Sequence, residues 1–363
     1  MKWLRGAVGL VALLVVGAAL ASGGSGTDSV RQRYLPGRNA LRTVSRFGGE
    51  RVVAVRSLGN PDAVHADPGW LAAARPLGPG APAWARRMYT RSLLVLHALT
   101  DPRTGAVIAG AREGWAYVWP RDASAVAMAL AAAGYRSEAR RIVRFLGGLD
   151  LGADARFQRD GTPADGRAAQ GDATGWVAAA ADAVGLPGAP PDRSPWQGLA
   201  DYQENGDGDF LANAIASGAP RIRALFETPS GTLWRRAGDS RSGIDSAAAW
   251  AARPFPHPGL YGPVRRTLLQ LAATSSRFGI VPSEDWDGGV DPWTAPTAWT
   301  AWGLAALRER HAALHLMAEL RRAATPAGWL PERVDARTGI PTSTTPLAWS
   351  HAFAILALRQ LWP

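Results

Sequence analysis

An all-α fold is what this sequence predicts, and three features point to it. Amphipathic segments of helical length recur through most of the chain, alanine is abundant, and the β-branched alternation that strands need is scarce. Gly/Pro loops join the segments in succession. Paired helices with elaborate loops fit an α/α toroid, and a plain helical bundle fits the periodicity equally. With 363 residues and 47% hydrophobic content the chain can bury one large core or form two ordinary domains, and the helical pattern favours the first.

The elements follow in order. Lys2 and Arg5 precede an apolar run from Ala7 to Ala21, and Ala19-Leu20-Ala21 before Ser22 suits a cleavage site. Residues 1–21 are therefore expected to be a signal peptide, giving a secreted or extracytoplasmic protein. The run is too short for a hydrocarbon core of about 30 Å, so membrane contact is expected only if this segment stays uncleaved. Residues 22–40 read as a flexible linker and 41–363 as one domain. A mixed, Pro-rich stretch to about 80 holds a short strand candidate at Val52-Val53-Ala54-Val55. Helices are expected over 82–100, 121–134, 136–148, 174–185, 211–227, 243–252, 260–276, 296–308, 310–324 and 346–361.

Composition excludes several chemistries. Cysteine is absent, which removes disulfides, thiolate metal sites and thiol nucleophiles. Lys2 is the only lysine, so the folded part has no candidate for Schiff-base or P-loop chemistry. The net charge of +10 is carried by dispersed arginines, in pairs such as Arg140-Arg141 and Arg321-Arg322 on helix faces, so no nucleic-acid partner is expected. A monomer is expected. Asn205, Asp207 and Asp209 alternate as in a calcium loop, but Phe210 and Ala216 stand where its Gly and Glu belong. His311 and His315 are spaced as metal ligands can be, yet lie on an Ala/Leu-rich helix without a matching carboxylate motif. No metal or organic cofactor is called for.

Carboxylates and aromatics on loops carry the chemistry. Glu332 sits between Pro331 and Arg333, ahead of a Gly/Pro/Thr loop that runs into a helix opening with Trp349, Ser350 and His351. Tyr117-Val-Trp119-Pro-Arg121-Asp122 starts another helix. There Asp122 suits the positive helix end or, with Arg121 and an aromatic wall, a hydroxyl-binding corner. Asp201-Tyr-Gln-Glu204-Asn205 holds a second glutamate on a short turn, and partial burial there would keep it protonated as a general acid. Glu284, Asp285, Asp287 and Asp291 alternate with Trp286 and Trp293 as in a sugar-subsite wall. The 16 Trp outnumber Tyr and Phe together, and indole faces suit the C–H faces of sugar rings.

In order, RSLLVLHALTDPRTGAVIAG, YVWPRDASAVAMALAAAGY, QGDATGWVAAAAD, PSEDWDGGVDPWTAPTAWTAW, LPERVDARTGIP and PLAWSHA resemble glycoside hydrolase family 15, the glucoamylase and glucodextranase family. That resemblance implies a single-domain (α/α)6 toroid of the six-hairpin glycosidase type and an exo-acting, inverting hydrolase of an α-glucan or oligosaccharide. It puts Glu332 at the catalytic base, and Trp119, Arg121, Asp122, Glu284, Asp285, Trp293 and Trp349 around the substrate. Glu204 matches the acid best, although Gln203 and Asn205 replace the Trp and second Glu of the family pattern, and an arginine near residue 281 has no counterpart in the sequence. Those departures leave two alternatives open: a carbohydrate-binding relative without its acid, or a hydrolase of trehalose or another envelope glycan.

Overall fold

The computed structural model describes residues 68–363, apart from 111, 113, 187–195 and 207, and the backbone of three strands nearer the N-terminus. The expected signal peptide lies outside the described residues. Strands β1 (Val30–Leu35), β2 (Ala40–Ser45) and β3 (Glu50–Ala54) form an antiparallel meander, with Val30 opposite Ser45 and Ala40 opposite Ala54. β1 occupies part of the stretch expected as a linker, and β2 spans the expected domain boundary. Val, Tyr and Thr favour strands there, and two ladders supply the pairing that one isolated stretch lacks.

The helices are α1 (Pro68–Ala72), α2 (Ala83–Leu99), α3 (Pro120–Ala132), α4 (Arg136–Leu146), α5 (Ala173–Val184), α6 (Leu211–Ala216), α7 (Ile222–Phe226), α8 (Tyr261–Ala273), α9 (Thr294–Ala306), α10 (Arg310–Ala323) and α11 (Ala348–Leu361). A 3-10 segment covers Ser246–Ala251. The helix expected over 211–227 is broken in two, because Gly218 and Arg221 take positive φ around Pro220. The one expected over 243–252 is the 3-10 segment.

Six of these elements pack side by side in a closed ring. α3 lies on α5, α5 on α6, α6 on Ser246–Ala251, that segment on α9, α9 on α11, and α11 back on α3. Outside them run α2, α4, α7, α8 and α10, each against an inner neighbour. This is the (α/α)6 toroid; among the described residues no outer helix precedes α6 in the third hairpin, and the fourth hairpin is short.

The inner helices can close up because their residues are small. α3 is buried from Pro120 to Leu130, a run dominated by alanine. A Cβ on Gly175 of α5 would stand 2.0 Å from the Ala216 carbonyl oxygen, so only glycine permits that contact. The space left at the centre is filled by Trp176, Trp250 and Trp299, which meet edge to face at 5.0 and 5.5 Å.

The loops that enter the inner elements are bridged to one another in the same cyclic order. The pairs are Gly110 with Leu347, Val118 with Phe157, Gln170 with Ala200, Phe210 with Arg236, Asp245 with Ser283, and Trp293 with Arg333. All six loops therefore gather at one end of the toroid, where the positive ends of the inner helices also lie.

Candidate active site

The site begins at the first turn of α3. Pro120 sets the turn, and Arg121 and Asp122 follow it into the ring, both buried. Arg121 donates from Nη1 to Gln170 Oε1 at 2.7 Å and to Asp172 Oδ2 at 3.0 Å, and its Nη2 lies 3.6 Å from Asp122 Oδ2. Its guanidinium stacks over Trp349 at 4.8 Å. Burial raises the Asp122 pKa to about 7; Arg121 opposes this, while the charges of Asp172 and Glu332 add to it. Arg121 Nε, Asp172 Oδ1, Gln170 Nε2 and Trp349 Nε1 are all buried without a hydrogen-bond partner. Orphans of this kind each cost about 1–3 kcal/mol, so the corner is built for something rich in hydroxyls.

Glu332 faces this corner, as its charge on Asp122 shows. Its backbone is tied from both sides: Glu332 N–H donates to Thr344 O at 2.9 Å, and Thr294 N–H donates to Glu332 O at 3.0 Å. Two residues earlier, Leu330 N–H donates to His351 Nε2 at 3.0 Å, and His351 Nδ1 lies 2.9 Å from Ser92 Oγ. Because Nε2 accepts, the ring proton sits on Nδ1. Burial, with Arg91 assisting, lowers the His351 pKa to about 3. The side chain of Glu332 is 12% exposed. Its Oε1 accepts from Trp115 Nε1 at 3.4 Å, Oε2 accepts from Ser343 Oγ, and Arg333 Nε lies 3.8 Å from Oε2.

The charge of Glu204 also reaches the corner, at Arg121. Asp201 fixes the turn that carries it, accepting from the N–H groups of Gln203 and Asn205 at 3.0 and 3.1 Å. Glu204 takes φ of 64°, a strained conformation for a non-glycine residue. The partial burial expected for it is not present: the side chain is 43% exposed and ion-paired with Arg167.

A second buried arginine supports that turn. Arg235, 2% exposed, donates to Asp201 at 2.7 Å and to Asp285 at 2.9 Å, and lies 3.4 Å from Asp245. Tyr202 donates to Asp245 at 2.8 Å, and burial raises the Asp245 pKa to about 7. Arg235 stands beside the Ser283–Asp285 turn, where the sequence offered no arginine at 281.

Other expected contacts fall differently. Glu284 is exposed and accepts from Ile244 N and Gln270 Nε2, both at 3.1 Å, so protein groups hold its two oxygens. Asp285 turns to Arg235 and Ser283. Trp119, Trp293 and Trp349 are buried, and each carries a guanidinium over one face instead of an open platform. His315 pairs with Glu319 at 2.9 Å on an outer helix, away from the site. The sequence pattern did not single out Arg167, Gln170, Asp172, Arg235, Asp245 or Ser343. Asp172 and Gln170 stand inside the QGDATG motif, which was their available signal.

Residues 83–149, including the Arg121-Asp122 corner, match the family model for glycosyl hydrolases family 15. A wild-type glycosidase structure is 20% identical, with 82% of this chain and 99% of that one covered at a TM-score of 0.65. A bacterial glucoamylase complexed with acarbose is 16% identical, covering 81% of this chain and 57% of that one at 0.59. Glucoamylase from Saccharomycopsis fibuligera is 13% identical, covering 76% and 94% at 0.61. No curated protein matches the chain. At these identities the structures establish the shared toroid, and the family match is confined to residues 83–149, the segment bearing Arg121 and Asp122.

Proposed function

We propose that the protein is an exo-acting hydrolase of α-glucosides that inverts the anomeric centre. The observation that carries this is the placement of two carboxyl groups about one buried corner, Glu332 acting on Asp122 and Glu204 on Arg121. Arg121, Asp122, Asp172 and Gln170 grip the hydroxyls of the terminal sugar, with unpaired polar atoms on Arg121, Asp172 and Gln170. Glu332, whose oxygens both accept hydrogen bonds, takes a proton from water as that water attacks the anomeric carbon. Glu204 gives its proton to the glycosidic oxygen as the C–O bond breaks. Attack from the face opposite the leaving group turns an α-glucoside into β-glucose. Export through residues 1–21 belongs to the same reading.

A second reading, a glycan-binding relative without turnover, is favoured by one feature, the exposed Glu204 engaged by Arg167. Glucose release from maltose, isomaltose, trehalose and starch, with the product anomer followed by NMR, separates the two. Release of β-glucose that is lost in Glu204→Gln and Glu332→Gln supports the hydrolase. Binding without release supports the second reading, and release indifferent to Glu332→Gln removes the proposed base.

A further inference from the structure

Four tryptophans of the site carry arginines over their faces. Arg121 covers Trp349 at 4.8 Å, Arg156 covers Trp119 at 5.2 Å, Arg112 covers Trp115 at 5.6 Å and Arg333 covers Trp293 at 5.7 Å. Two of these cations are compensated: Arg121 by Asp172, and Arg156 by Asp165. The other two are less engaged, Arg333 having only a longer ion pair with Glu332. Arg112 is exposed, with no carboxylate in ion-pair range among the described residues. Arg333 is 25% exposed, its nearest carboxylate is Glu332 at 3.8 Å, and its buried Nε has no hydrogen-bond partner.

These two guanidiniums flank the same carboxylate. Trp115, beneath Arg112, donates to Glu332 Oε1, and Arg333 approaches Oε2. Asp122 and Asp172 are buried below them, so neutral hydroxyls suit the floor and an anion is turned away from it. Guanidinium is planar and forked, matching carboxylate, sulfate and phosphate oxygens better than a single hydroxyl.

We propose that the site takes an acidic glycan, one whose sugar at the rim bears a carboxylate or a sulfate or phosphate ester that lands on Arg333, with Arg112 adding attraction from the other flank. This rests on the glycoside hydrolase reading for its location but not for its test. Three disaccharides of one linkage serve as probes: maltose, the derivative with glucuronate in place of one glucose, and maltose 6-sulfate. The ratio of kcat/KM for an acidic probe over maltose is expected to exceed roughly tenfold, to fall toward unity in Arg333→Gln and to recover in part in Arg333→Lys. The carboxylate and sulfate arms tell which anion is preferred. Equal kcat/KM for acidic and neutral probes, or a ratio unchanged by Arg333→Gln, overturns the proposal while leaving the hydrolase intact. Calorimetric binding to the Glu332→Gln protein decides the case where no probe turns over. Acidic probes binding about tenfold tighter than maltose, with the gap closing at high salt, support the proposal. Equal binding, or none, overturns it.

Discussion

Glu332 is the residue on which most of the site converges. Pro331 and Arg333 bracket it in sequence, Ser343 and Trp115 hold its two oxygens, and Asp122 feels its charge. Glu332→Gln keeps the shape and removes the proton acceptor, so turnover is expected to drop by about 10²–10⁴-fold with little change in melting temperature; a fall in both together would mark Glu332 as structural. Arg167 poses the complementary question. Its pair with Glu204 is half open to solvent, so Arg167→Ala should cost no more than about 1 kcal/mol in a denaturant titration. Much larger destabilisation would show that the pair holds the loop rather than the glutamate. Glu332, Arg121 and Asp122 were legible in the sequence because each belongs to a compact motif. Arg235 was not, since it reaches Asp201, Asp245 and Asp285 from a loop distant from all of them in the chain, and nothing local marks it.

The helices themselves were readable from periodicity, and their ends fell within a residue or two over α2, α4 and α10. The exceptions were the third and fourth hairpins, where burial by neighbours, not helix length, makes the structure. The Ser246–Ala251 segment is fully buried although only one 3-10 stretch long. Gly175 tests how tightly the inner ring is drawn. Gly175→Ala would force α5 away from α6 and is expected to destabilise by about 1–3 kcal/mol in spite of alanine's better helix propensity. A stabilised variant would mean that α5 and α6 separate easily.

At the scale of the whole molecule, buried titrating groups shape stability in opposite directions. His351 is neutral in the fold down to about pH 3, whereas an unfolded histidine takes a proton below about 6.5. Its contribution is complete above pH 6.5 and is lost as pH falls, by up to about 1.4 kcal/mol per unit. In thermal melts the gap between the parent and His351→Gln should therefore narrow on going from pH 7 to pH 4. A gap that stays constant would mean that His351 protonates freely in the fold. Asp122 and Asp245 behave inversely. Both keep a proton up to about pH 7, while the unfolded chain releases it near 4, so stability falls as pH rises between those values. Asp122→Asn should flatten that decline, and a decline left unchanged would show that Asp122 ionises in the fold as it does in the open chain.

The contact of α11 with α3 sets an order in time. The ring joins its first inner helix to its last, and the loop bearing Glu332 hangs from His351 in that last helix. During synthesis the corner of Arg121 and Asp122 can form early, but the loop of its facing carboxylate lacks its His351 tie until residues 348–361 emerge. A ribosome stalled before them would display the Arg121–Asp122 corner without the closed ring or the His351 tie of the Glu332 loop, so closing the ring and fixing that loop are one event.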